Sequence, residues 1–178
     1  MTSLAIRRFA DRLDTLYGKT TDAAGLALGT GDMLRSVLAL DHVLEPAERE
    51  PDPNRYRQHI LHIDPAGRFS IVALVWLPGQ GTPIHDHLAW CVAGVLTGDE
   101  RELRYRLTGE QDLCETATLH NVPGDVSVLT SGPDIHSVVC TSDLRTISIH
   151  VYGADISSRG TSVNRIFDAG RVSKRTPT

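Results

Sequence analysis

The sequence predicts an all-β fold, a sandwich or barrel, preceded by helices. Three observations carry that expectation. Beyond residue 55 the chain breaks into seven short runs rich in β-branched residues: RQHILHI, RFSIVALVW, CVAGVL, ELRYRL, DVSVLT, HSVVC and RTISIHVYG. Turn-forming clusters separate them (DPAG, PGQGTP, LTGD, VPGD and SGPD), and strands punctuated every 8–12 residues or so are the mark of a sandwich or barrel. The first fifty residues instead carry apolar positions at helical spacing.

In order along the chain, Leu4, Phe9, Leu13 and Leu16 predict a first helix, which Gly18 stops. Met33, Leu34, Val37, Leu38 and Leu40 predict a second, from about Asp32 to Leu40. EPAEREPDPN at 45–54 reads as a charged, proline-rich linker without core pattern. The division expected is a helical segment over 1–50 packed on a barrel over 51–168. A polar tail over 169–178, frayed from about Asp168, completes a single domain.

Composition narrows the function. The 178 residues are 40% hydrophobic, enough for a core without staples. Eighteen basic residues against 22 acidic give no long-range pull towards nucleic acid or an anionic membrane. No apolar run approaches the roughly 20 residues of a bilayer span, and the N-terminus lacks the apolar block of a signal peptide. Cys91, Cys114 and Cys140 are odd in number and lack CxxC spacing, so a disulfide framework is not expected and a reducing cytoplasm is.

The histidines carry the chemistry. His85 and His87 stand at i and i+2 in IHDH, where an extended strand points both to one face and lets two imidazoles share one ion. A bare HxH is more often two surface histidines; here the surroundings favour a metal. Gly79, five residues, His85-x-His87 and then Gly98 resemble the first motif of the cupins, small jelly-roll β-barrels, and Pro123-Gly124-Asp125 followed by His136 resembles the second. Cys91 stands where cupins usually place a carboxylate ligand, leaving three neutral imidazoles and open positions that suit a soft anionic ligand. Zinc remains open on the ligands alone. On RTISIHVYG, Ser148, His150 and Tyr152 share one face, which is either solvated or lines the cavity. In the cavity, the three form a hydroxyl–imidazole–phenol chain able to donate or shuttle a proton.

YRQHIL, RFSIVALVW, PGQGTPIHDHLAW and ISIHVYGADI together resemble the thiol dioxygenases among the cupins, over roughly residues 50–168. These are cysteine dioxygenase and 3-mercaptopropionate dioxygenase. The resemblance implies Fe(2+) held by His85, His87 and His136. It implies a relay of Ser148, His150 and Tyr152, and O2 oxidation of a small carboxylate-bearing thiol to its sulfinic acid. Gln58, two residues after Tyr56, stands where the animal enzymes place an arginine. That points to the mercaptopropionate branch, with Arg165 or Arg159 left to hold the carboxylate. Cys91 points the other way, since animal-type enzymes join that cysteine to the relay tyrosine, here Tyr152, by a thioether. The alternatives are another metal-dependent cupin enzyme, with zinc or nickel, and a non-enzymatic ligand-binding cupin. His42, His59, His62 and His120 match nothing in this pattern, and the sequence gives no oligomeric state.

Overall fold

The computed structural model describes residues 2–130 and 134–173; of the expected SGPD turn only Asp134 falls within them. Two helices open the chain, α1 at Leu4–Tyr17 and α2 at Ala23–Leu38. Ser3 caps α1 by accepting the Ile6 N–H, and Asp22 caps α2 by accepting the Gly25 N–H at 2.7 Å. The buried face of α1 is Ile6, Phe9, Ala10 and Leu13, while the expected Leu4 is exposed. α2 begins nine residues before the expected Asp32 and ends at Leu38. Its first half, AAGLALGTG, holds three glycines that read as helix breakers. They serve packing instead: a Cβ on Gly31 would sit 2.8 Å from Val128 Cγ2. Gly94 repeats the device from the sheet, where a Cβ would meet Leu38 Cδ1 at 2.7 Å. The expected linker contains a 3-10 turn, Pro46–Arg49, closed by the Glu45 N–H donating to Glu48 Oε2.

Eleven strands follow among the described residues. They are β1 Arg57–Ile63, β2 Ser70–Trp76, β3 Ile84–His87, β4 Cys91–Thr97, β5 Glu100–Leu107, β6 Leu113–Asn121, β7 Val126–Leu129, β8 Ile135–Cys140, β9 Thr146–Tyr152, β10 Val163–Phe167 and β11 Val172–Ser173. A short helix, α3 at Ile156–Arg159, separates β9 from β10. One sheet runs β1-β2-β9-β4-β7 and the other β10-β3-β8-β5-β6-β11. The frayed tail is corrected in part: Val172 and Ser173 pair in parallel with Leu113 and Cys114 of β6, so the ordered fold extends past residue 168.

β2 and β9 lie side by side at the middle of the first sheet and are buried along their whole length. Ile71, Ala73, Val75, Ile147, Ile149 and Val151 face out and pack under α1 and α2. Val72, Leu74, Trp76, Cys91 and Tyr152 face into the barrel. The helices are thus the lid over a sheet that would otherwise expose an apolar face.

Candidate metal centre

The second sheet brings the histidines together. β3 ends on His87 and pairs with β8 at a single register position, His85 opposite His136. Alternation along β3 then turns His85 and His87 to one side and Asp86 to the other. Ring centroids stand 4.8 Å apart for His85–His87, 4.7 Å for His85–His136 and 5.0 Å for His87–His136. One nitrogen from each ring falls within 4.8 Å of the others.

The second contacts of His85 and His136 fix which of their nitrogens face inward. His85 Nδ1 lies 3.0 Å from the Pro83 carbonyl and donates to it, which leaves Nε2 as a bare lone pair. His136 Nδ1 lies 3.1 Å from Glu102 Oε1, again leaving Nε2 free, and that Nε2 is buried without a partner. His87 Nδ1 is also buried and unpartnered, while its Nε2 stands 3.3 Å from His85 Nε2. A divalent ion at about 2.0–2.1 Å from two imidazoles holds their nitrogens about 3.0 Å apart at a right angle and about 3.4 Å at a tetrahedral one. The His85–His87 spacing lies between, so that pair fits a divalent metal, with a nitrogen of His136 within 4.8 Å of both. Burial first, then His136, pushes the His85 pKa down to about 4; the same causes, with His85 third, push His87 to about 2. Both rings are therefore neutral, as ligation requires.

Glu102 was not anticipated. It is almost fully buried and holds His136 while also accepting from Ser127 Oγ at 2.6 Å, Asn121 Nδ2 and Arg104 Nε. Side-chain bonds and nearby positive charge offset its burial and bring its pKa down to about 2, so it orients the ligand as a carboxylate. The strand ERELRYRL carried the signal: Glu100, Glu102 and Arg104 fall at i, i+2 and i+4, on one face.

Opposite the histidines stands β9. Trp76 Nε1 donates to Ser148 Oγ at 3.0 Å, Ser148 Oγ lies 3.0 Å from His150 Nε2, and His150 Nδ1 lies 3.4 Å from the Tyr152 hydroxyl. The Tyr152 ring centroid is 5.7 Å from that of His87. Burial lowers the His150 pKa to about 3 and raises that of Tyr152 well above its ordinary value, so both are neutral. Cys91 lies directly across the strand pair from Tyr152, a free buried thiol whose pKa burial raises.

The expected substrate-holding residues are not gathered in the same way. Arg165 does not turn into the barrel. Its Nε donates to Asp86 Oδ2 at 2.8 Å and its backbone N–H to Asp86 Oδ1 at 2.8 Å, on the face of β3 away from the histidines. A carboxylate with 3% side-chain exposure lies beneath it, and the guanidinium, itself half exposed, is paired with that acid. Arg159 ends α3 and is exposed. Gln58 is exposed on the edge strand β1, opposite Leu74, beside a Tyr56 ring that packs 4.5 Å from Trp76.

A family model described as cysteine dioxygenase type I matches residues 49–159. The chain belongs to that family. The match spans every residue of the histidine cluster and the β9 chain. Among solved structures, this dioxygenase-family chain is similar to a protein with a double-stranded β-helix domain from Klebsiella pneumoniae. Identity is 15% and the TM-score 0.50, over 65% of this chain and 86% of that one. It is also similar to a cupin superfamily protein from Desulfitobacterium hafniense, at 15% identity and TM-score 0.47, over 60% and 84%. The first likeness shows the double-stranded β-helix fold, to which this member adds two N-terminal helices. The fold is thus mostly, not wholly, β. No helix among the described residues is long and apolar enough to cross a membrane.

Proposed function

We propose that this chain is a thiol dioxygenase using Fe(2+) at His85, His87 and His136 and oxidising L-cysteine or 3-mercaptopropionate with O2 to the sulfinic acid. The observation that carries the reading is a cluster of three imidazoles whose ligand nitrogens lie within 4.8 Å of one another, in a chain of the cysteine dioxygenase type I family. Iron(II) there would supply a Lewis-acidic, redox-active centre with coordination positions open to a thiolate and dioxygen.

The residues around it do the rest. The Tyr152 phenol, protonated and buried, stands beside His87 with an O–H able to donate into the cavity. His150 holds the phenol, Ser148 holds His150, and Trp76 fixes the Ser148 hydroxyl. The apolar wall of Val72, Leu74, Trp76 and Leu129 excludes water and strengthens each of these bonds. With Arg165 committed to Asp86, holding the substrate carboxylate falls to Arg159 and Gln58. That Cys91 and Tyr152 are cross-strand neighbours supports a thioether between them; a protein mass two hydrogens short of the sequence, surviving reduction, would report it.

The test is oxygen uptake by iron(II)-loaded protein given each thiol in parallel, with sulfinate measured in step. One sulfinate per dioxygen is expected, and Tyr152→Phe should keep its metal yet lose roughly 100-fold or more in turnover. No uptake with either thiol, or unchanged turnover in Tyr152→Phe, would overturn the reading. A zinc or nickel content after native purification would favour the other cupin enzymes.

A further inference from the structure

The buried chain on β9 does not end at Ser148. Glu100, at the start of β5, is 3% exposed, and its Oε1 has no hydrogen-bond partner. The proposed reaction gives it no task, and an unpartnered carboxyl oxygen in a β core is costly to keep. It lines one small enclosed cavity together with Glu102, His136 and His150, and the Ser148 hydroxyl is the polar group that acts on it favourably. We propose that Glu100 is a positioning residue that sets the direction of the hydrogen bonds through Ser148 and His150. It thereby decides whether the Tyr152 hydroxyl donates into the metal cavity or back to His150. The inference rests on the reading that Tyr152 serves the site as a donor.

Donor counting gives the two directions. Trp76 Nε1–H donates to Ser148 Oγ in both. With Glu100 protonated, its O–H donates to the remaining Ser148 lone pair, Ser148 O–H donates to His150 Nε2, and His150 Nδ1–H donates to the Tyr152 oxygen. The Tyr152 O–H is then free for the cavity. With Glu100 ionised, Ser148 O–H turns to the carboxylate, His150 carries its proton on Nε2 and donates to Ser148, and Tyr152 O–H donates to His150 Nδ1. One proton has left, that of Glu100, and His150 has exchanged tautomers without gaining charge.

The groups facing Glu100 set where the change falls. On its own strand Glu102 is a carboxylate; from β8 come His136 and Cys140, from β9 Ser148 and His150, from β6 Asn121, and from the turn before β7 Asp125. Burial first, then Glu102, lifts the Glu100 pKa against the opposing pull of Ser148, to about 7. A bound dication lowers the midpoint without reversing the direction. Ser162, whose hydroxyl also acts on the phenol, is present in both states and distinguishes neither.

The experiment is ring-nitrogen NMR of 15N-histidine protein loaded with zinc(II), a diamagnetic occupant of the site, between about pH 5.5 and about pH 9. The His150 proton is expected on Nδ1 at the acid end and on Nε2 at the alkaline end. In Glu100→Gln, whose amide always donates to Ser148, it should stay on Nδ1 throughout. In parallel, oxygen uptake by the iron(II) form should fall with rising pH in the wild type, by about tenfold per unit once above the midpoint, and lose that limb in Glu100→Gln. A His150 tautomer that stays fixed in the wild type, or that switches equally in Glu100→Gln, overturns the proposal. A normal tautomer switch in a protein that oxidises neither thiol overturns the function above and leaves the role of Glu100 in the chain standing.

Discussion

The three imidazoles are held by unlike partners: a backbone carbonyl for His85, a carboxylate for His136, and no second partner for His87. Losing Glu102 therefore strikes one ligand selectively. Glu102→Gln should fold and bind metal roughly 10–100-fold more weakly, read by competition with a chelator. Unchanged affinity would show that the carboxylate does not orient the ring. Arg165 invites the opposite expectation from the one its sequence position suggests. Arg165→Met leaves Asp86 buried without its cation. With Arg165 49% exposed on its side chain and so screened, the loss should be about 1–2 kcal/mol of stability. A lower Tm is the expected reading. A raised KM for the thiol at unchanged Tm would return Arg165 to the substrate.

The β1–β2 hairpin is tied to α1 by one buried acid. Asp64 accepts from the Arg68 backbone N–H at 3.0 Å and from Arg68 Nε at 2.8 Å, and Arg68 reaches on to Asp14 of α1. These bonds hold the Asp64 pKa below its ordinary value, the Arg68 side chain contributing most. Because the folded pKa is the lower one, the contribution is full above the unfolded value of about 4 and disappears as pH falls through the folded value. Asp64→Asn should lower stability by about 1–2 kcal/mol at neutral pH and flatten the acid limb of the urea midpoint; an acid limb identical to the wild type would remove Asp64 from that account. Gly31→Val should cost about 1–3 kcal/mol by driving α2 off β7. The elements differ in how far the sequence disclosed them. β2, β4, β8 and β9 announce themselves through β-branched residues; strand parity sets His85 and His87 of IHDH on one face, and the metal reading itself needs the glycines and His136 around them. β6 escapes a strand reading because CETATLHN alternates only in its second half. The first half of α2 hid behind glycines whose purpose is close approach, a property of the partner surface. The Arg165–Asp86 pair was not legible, because sequence distance says nothing about which face of a strand a neighbour occupies.

The site joins residues 85, 87, 136 and 152 through two sheets, so only the native state offers the whole ligand set. Metal should then stabilise by mass action: at a free concentration a thousandfold above Kd the gain is about 4 kcal/mol. For a chain of this size that raises Tm by roughly 8–16 °C, and His136→Ala should abolish the shift. An equal rise in the variant would place the binding elsewhere. The central position of β9 has a consequence for biosynthesis. β2 and β4 are both translated well before the strand that lies between them. Until Tyr152 clears the ribosome, each presents an open hydrogen-bonding edge and an apolar flank, with the α1–α2 pair already available to shield one side. The nascent chain is then exposed to pairing with its neighbours on a polysome, and a single late strand both ends that hazard and delivers the phenol to the histidines.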